Sequence, residues 1–194
     1  TLDINDLDDT PPTITSSDLV DTISENTDEG QIIYVATADD SNDVTSGPVT
    51  FSLSVDSDSK LSIDAVSGEV TLEEGPDHEA QTQYNFTVIA TDGANNSSEK
   101  PLTLNVEDID DVAPVFLSPS NATVVENTAA GQIIYTAVAD DSLDVSDGVT
   151  YSLLPGSDDA LSIDEITGQV TLNESADFEV KSEYSFTVLA ENNP

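Results

Sequence analysis

Apolar and polar residues alternate with period two along much of this chain. Tyr84, Phe86, Val88 and Ala90 fall on one side of an extended backbone, and Asn85, Thr87, Ile89 and Thr91 on the other. Leu102, Leu104 and Val106 alternate likewise. Val49, Phe51 and Leu53 do so too and are echoed by Val149, Tyr151 and Leu153. Val70-Thr71-Leu72 and Val170-Thr171-Leu172 follow Gly68 and Gly168, which read as hairpin turns. No helical periodicity is sustained. The pattern predicts an all-β chain of Greek-key β-sandwich domains, about seven short strands in each.

The alternation is written twice. Glu25-Asn26-Thr27 and Gly30-Gln31-Ile32-Ile33-Tyr34 return as Glu126-Asn127-Thr128 and Gly131-Gln132-Ile133-Ile134-Tyr135, an offset of 101. Leu61-Ser62-Ile63-Asp64 returns as Leu161-Ser162-Ile163-Asp164, and Tyr84-Asn85-Phe86-Thr87-Val88 as Tyr184-Ser185-Phe186-Thr187-Val188. A period near 100 residues is that of a domain, not of a solenoid turn. The ends are out of step with the repeat. Residues 1–9 match residues 103–111, whereas Leu102 to Val106 have no counterpart after Ala190. Four segments are expected. Residues 1–11 read as the last strand of a preceding repeat plus a linker, and residues 12–107 as repeat 1. Residues 108–114 read as a linker, and residues 115–194 as a repeat 2 short of its last strand.

Charge narrows the range of partners. Forty acids face three lysines and no arginine, for a net charge of −37. Nucleic acid is excluded as a partner on this ground, and so is an anionic membrane. Disorder is disfavoured, because Val, Ile, Leu and Phe make up 51 of 194 residues, above the roughly 20% below which a charged chain stays unfolded. With no cysteine there is neither a disulfide framework nor thiolate chemistry. No apolar run approaches the ~18 residues of a membrane span.

Part of the acidity is a solvated surface, but part is too clustered for that. Asp108-Ile109-Asp110-Asp111-Val112-Ala113-Pro114 places three carboxylates within four residues. Such neighbours repel by ~1 kcal/mol per pair in water and by several times that in a less polar setting. A fold that crowds them usually supplies a cation. All-oxygen ligands without histidine or cysteine suit Ca2+ better than magnesium or zinc.

These residues resemble the cadherin repeat family, whose linker runs Asp-x-Asn-Asp-Asn-x-Pro. Here Asp110 and Val112 stand at the two Asn positions. The family's Pro-Glu-Asn resembles Ser24-Glu25-Asn26 and Val125-Glu126-Asn127. Its Asp-Arg-Glu resembles Asp77-His78-Glu79 and Asp177-Phe178-Glu179, and its Ala-x-Asp resembles Ala90-Thr91-Asp92. The four motifs occur in the family's order along essentially the whole chain. The resemblance implies calcium ions between successive repeats, with Glu25, Asp77, Glu79, Asp108, Asp110 and Asp111 as ligands. Asp141 stands at the first Asp of the family's next motif, with Leu143 at the second and Asp144 or Asp140 as a substitute. Asn192 stands where the family has Asp, so the ion facing repeat 2 is expected to be the weakest. Asp6, Asp8, Asp9, Asp40 and Asp92 resemble half of one further junction, and Glu126, Asp177 and Glu179 half of another.

The function expected is that of calcium-rigidified spacer or adhesion repeats in a larger extracellular or cell-surface protein, with no enzyme activity and no direct membrane insertion. The acidity, together with the lack of Cys and Trp, suits a microbial source. The partners expected are neighbouring repeats of the same or identical chains. Two alternatives stand beside this reading. In one, residues 1–5 complete the second repeat of another chain by strand addition, giving a head-to-tail homopolymer. In the other, the chain is a carbohydrate-binding module, for which five tyrosines and no tryptophan make a poor platform. EF-hand loops fail for want of glycine and glutamate at the required positions. His78 reads as an exposed histidine that ligates nothing.

Overall fold

A computed structural model describes residues 2–42, 44, 46–143, 145–146 and 148–192. Asp144 and Thr1 lie outside the described residues. The chain divides between Asp108 and Ile109 into two compact units. Among the described residues every regular element is a β-strand. Among the described residues no helix is long and apolar enough to cross a membrane.

Among the described residues unit 1 is a β-sandwich of nine strands. They are β1 (Thr13–Ile14), β2 (Ile23–Ser24), β3 (Gln31–Val35), β4 (Ala38–Asp39), β5 (Thr50–Leu53), β6 (Leu61–Ile63), β7 (Glu69–Leu72), β8 (Gln83–Thr91) and β9 (Ser97–Glu107). One sheet has the order β2-β9-β8-β5 and the other β3-β7-β6, while β1 pairs with β4. All pairings are antiparallel except β2 with β9, which run parallel through Ile23↔Val106 and Ser24↔Glu107. The period-two residues face inward as the alternation requires. Tyr84, Phe86, Val88 and Ala90 of β8 meet Leu102, Leu104 and Val106 of β9, with Val70 and Leu72 from the facing sheet. Each such fully buried apolar side chain contributes about 1.5–3 kcal/mol.

The repeated Gln-Ile-Ile-Tyr run marks a bulge. The β3–β7 register slips between Ile32 and Tyr34, which turns Tyr34 into the core. Its ring meets Phe86 edge-on at 6.1 Å, and its hydroxyl donates to the Ser17 carbonyl at 2.6 Å. Tyr135 repeats the arrangement against Phe186 at 5.5 Å. Tyr34 is thereby buried in the core, while Tyr135 is half-buried. Gly68 and Gly168 close the β-hairpins at φ +73° and +67°, and a Cβ there would press on the carbonyls of Ala36 and Ala137.

Unit 2 repeats the plan with seven strands among the described residues. They are β10 (Val115–Phe116), β11 (Gln132–Thr136), β12 (Ala139–Asp140), β13 (Val149–Leu153), β14 (Leu161–Ile163), β15 (Gln169–Leu172) and β16 (Val188–Asn192). The β11-β15-β14 sheet reproduces β3-β7-β6, and β13 pairs with β16 as β5 does with β8. The strand expected from Tyr184 to Ala190 is formed only from Val188 onward. The physical reason is pairing: β8 is held by both β5 and β9, whereas among the described residues β16 has β13 alone. Where no partner supplies a ladder, residues 183–187 are not strand. Tyr84 and Phe86 are 1% and 2% exposed, but Tyr184 and Phe186 are only partly buried.

Candidate metal centre

In unit 1 the strand ends assemble the acids. β2 lies parallel to the end of β9, and the Glu25 N–H donates to the Glu107 carbonyl at 3.1 Å. Asn26 then adopts φ +59°, a left-handed conformation that Asn tolerates better than most residues. The chain turns, and the Asn26 N–H reaches the Pro76 carbonyl at 3.0 Å. This brings the Asp77-His78-Glu79 turn against Glu25, whose Oε2 accepts the His78 N–H at 2.7 Å. Glu25, Asp77 and Glu79 each offer a carboxylate oxygen, and these lie within 4.8 Å of one another. Glu25 is 2% exposed. At an effective dielectric of about 20, each ionised pair at that spacing repels by roughly 3–4 kcal/mol.

Asp108 enters from the end of β9. With His78 and Glu79 it forms a second group whose ligand atoms lie within 4.8 Å. The His78 Nδ1 is 3.3 Å from Asp108 Oδ2 and 3.7 Å from Glu79 Oε1. His78 was expected to be exposed and is instead half-buried, because Glu25 captures its N–H and fixes the ring between two acids. Phe178, at the same place in unit 2, is exposed.

A third group forms at Asp8, Asp40 and Asp92, again within 4.8 Å. Asp8 and Asp92 are 7% and 4% exposed. Burial pushes the Asp92 carboxyl up, but hydrogen bonds outweigh it and hold the group below the usual carboxylate range. These come from the Asn96 side chain at 2.8 Å and from the N–H groups of Asn96 and Ala94 at 2.8 and 2.9 Å. Asp8 Oδ2 accepts the Ser46 N–H at 2.8 Å, and its carbonyl accepts from Asn96 Nδ2 at 3.2 Å. The other oxygen, Oδ1, is buried with no hydrogen-bond partner among the described residues. Two buried carboxylates with a third beside them, and one oxygen unsatisfied, fit a hard cation.

Unit 2 builds its acids less completely. Asp110 accepts from Asn192 Nδ2, which also reaches the Val112 carbonyl at 3.3 Å. Asn192 stands where Asp92 stands in unit 1, so an N–H meets Asp110 in place of a third carboxylate. Asp141, half-buried, accepts from the Ser146 hydroxyl on one oxygen, and its other oxygen is buried without a hydrogen-bond partner among the described residues. Glu126 is exposed, unlike Glu25, because the residues before it form no strand and have no parallel neighbour. Asp177 Oδ1 caps its own turn, accepting from the N–H groups of Glu179 and Val180. Glu126, Asp177 and Glu179 do not form a ligand group among the described residues. Asp6, Asp9 and Asp111 are exposed.

Three supporting residues escaped the sequence reading: Asn96, Ser46 and the backbone of His78. Only Asn96 left a signal, four residues after Asp92 where a loop returns on itself.

The family model described as "Cadherin domain" matches residues 21–107 and 120–194. Human Cadherin-8 is 37% identical over 153 residues, covering 76% of this chain and 19% of its own length. Human Protocadherin Fat 4 is 30% identical over 192 residues, 97% of this chain and 4% of its own length. This chain thus spans about a fifth or less of these relatives. Among solved structures, mouse Cadherin-23 EC22-24 superposes with a TM-score of 0.79 at 28% identity, covering 96% of this chain and 61% of that one. The Protocadherin gammaB7 EC3-6 cis-dimer gives 0.81 at 28% identity, covering 98% and 47%. Two consecutive matches, each on a sandwich whose Asp-x-Glu turn follows the equivalent strand, β7 or β15, leave one assignment: the chain belongs to the cadherin domain family.

Proposed function

We propose that this chain is a calcium-stiffened stretch of an extracellular adhesion or spacer protein. The observation that carries the reading is the Asp8–Asp40–Asp92 group, where buried carboxylates converge and Asp8 Oδ1 lacks a hydrogen-bond partner among the described residues. The Glu25–Asp77–Glu79 group supports it, with Asp108 joined through Glu79. In this reading calcium is held by those residues and supplies positive charge and oxygen coordination.

The protein's own residues do the mechanical work. Glu25 ties the end of β2 to the His78 turn, and Asp108 continues from β9 into the linker, where Asp110 and Asp111 follow. With the acids neutralised, the stretch from Glu107 to Pro114 loses its internal repulsion and bends less. Without the ion, crowded carboxylates push that stretch and its turn apart. Modules of this kind hold calcium at about 10⁻⁴–10⁻³ M, so they are loaded outside cells and not in cytosol. The role is structural, and no substrate chemistry is assigned to it.

The test is calorimetric titration of the chain with calcium, alongside thermal unfolding in EDTA and in calcium. Saturable binding with a raised Tm is expected. No heat and no Tm shift up to about 10 mM calcium, well above that affinity range, would sink the reading.

A further inference from the structure

We infer that His78, Glu79 and Asp108 form a site for a borderline divalent ion of the Zn2+ class, and that this ion competes with calcium for the two carboxylates. The site lies wholly within unit 1. One imidazole nitrogen and two carboxylate oxygens lie within 4.8 Å of one another. Imidazole nitrogen suits zinc, copper and nickel, whereas calcium takes oxygen ligands. The histidine therefore changes which metal the group prefers, and it is the only histidine in the sequence.

The spacing suits a bridging ion better than a direct ion pair. His78 Nδ1 is 3.3 Å from Asp108 Oδ2 and 3.7 Å from Glu79 Oε1. A charge-assisted N–H···O bond closes to about 2.7–2.9 Å. Ligands bound to zinc at about 2.0–2.2 Å, at the corners of a tetrahedron, stand roughly 3.3–3.6 Å apart. The group already has nearly that spacing. Calcium accepts similar distances, so the nitrogen and not the spacing selects the metal.

Backbone hydrogen bonds hold the three ligands together. The His78 N–H is fixed on Glu25 Oε2 at 2.7 Å. The Ala80 N–H donates to Asp77 Oδ1 and the Gln81 N–H to the Asp77 carbonyl, each at 2.9 Å, which closes the turn carrying His78 and Glu79. The Val106 N–H donates to the Thr82 carbonyl at 3.0 Å, so the end of β9, with Asp108 beyond it, stays beside that turn. Ligands placed in advance lose little freedom on binding. Unit 2 differs at the same turn. Phe178 replaces His78 there and is 63% exposed, and Asp177 and Glu179 join no ligand group among the described residues.

The consequence is regulation of the calcium group. Glu79 belongs both to this site and to the Glu25–Asp77–Glu79 group. An ion held by His78 engages Glu79 and Asp108 and withholds them from calcium. That competition, unlike the site itself, rests on the calcium reading above.

The test is 15N NMR of the labelled chain titrated with ZnCl2 at about pH 7.5, since imidazole ligates a metal only when neutral. A single histidine gives one pair of ring-nitrogen signals. Zinc is expected to shift the His78 Nδ1 resonance and to saturate that shift near one equivalent. His78→Phe copies the residue that unit 2 carries at this turn, and it is expected to bind zinc at least about tenfold more weakly while its calcium affinity stays within about twofold of wild type. Asp108→Asn is expected to weaken zinc by a comparable factor. An Nδ1 resonance unmoved by zinc overturns the proposal. So does a His78→Phe variant that binds zinc as tightly as wild type, since zinc then sits on carboxylates alone. Should that variant fail to fold, the wild-type Nδ1 shift decides. Adding about 2 mM calcium is expected to weaken zinc binding. Ligation at Nδ1 that calcium leaves unchanged supports the site, overturns the competition, and counts against Glu79 and Asp108 as calcium ligands.

Discussion

The side chain of Glu25 accepts the backbone N–H of His78 at 2.7 Å, joining residues 53 positions apart. One carboxylate thereby secures a turn, places Asp77 and Glu79 within reach, and remains 2% exposed beside them. Glu25→Gln keeps an acceptor for the N–H but removes the charge. In calcium the variant should bind at least about tenfold more weakly and lose most of the calcium-induced rise in Tm. In EDTA its Tm should equal or exceed that of the wild type, because like-charge repulsion is relieved. Calorimetry and thermal unfolding check both arms. Glu126→Gln, at an exposed position, should change neither.

Asn192 and Asp92 hold equivalent places and differ by one charge. Asn192→Asp removes the amide donor to Asp110 and gives unit 2 a third acid. The variant should be less stable than wild type in EDTA, since a hydrogen bond is exchanged for repulsion. In calcium it should be more stable and should bind additional calcium. Unfolding midpoints in both conditions, with binding stoichiometry from calorimetry, decide the matter; an unchanged stoichiometry would show that Asp110 and Asp141 do not share an ion.

Asp64 and Asp164 cap the hairpin turns away from the candidate ligands. The backbone N–H groups of Ser67 and Val66 at 2.7 and 2.9 Å, with the Ser67 hydroxyl, hold the Asp64 carboxyl below the usual range. Asp164 is lowered by the Thr167 N–H and hydroxyl, both at 2.8 Å, with the Ile166 N–H adding to them. A depressed folded pKa means stability that is fully present above the unfolded value of about 3.9 and is lost as pH falls through the folded value. Asp64→Asn with Asp164→Asn keeps an oxygen acceptor and removes the titration. Against this variant, the wild type should lose stability more steeply below about pH 4. The comparison must be a difference, because protonation also relieves the overall charge of −37. Urea midpoints from about pH 5 to pH 2.5 measure it.

Alternation and the 100-residue period made the sandwich legible, because strands buried on one face must alternate and a repeated core must recur in step. The bulge at Tyr34 was not legible. A one-residue slip leaves the composition of Gln31-Ile32-Ile33-Tyr34 unchanged and alters only which side chain faces inward. The acids were legible as clusters within a motif, but their partners came from turns remote in sequence. Nothing near Asp8 announces Ser46 or Asn96. His78 was misread because its position is set by its backbone N–H, a group every residue but proline carries. The shortened β16 has the same origin: residues 183–187 alternate well, yet a strand needs a partner as well as a pattern.

Phe86 and Phe186 turn that last point into a measurement. Both meet the bulge tyrosine of their own unit edge-on, at 6.1 and 5.5 Å. Phe86 is sealed under β9, whereas Phe186 lines the open groove. Phe86→Ala should cost about 3–5 kcal/mol, as expected for an aromatic removed from a closed core. Phe186→Ala should cost less than half as much in dilute protein, because part of that ring already meets water and the groove can relax around the loss. The two variants are compared by chemical denaturation at low micromolar concentration, with a probe in each unit. Equal costs would mean that unit 2 closes over Phe186 without an edge strand, and that 183–187 find another partner within their own unit.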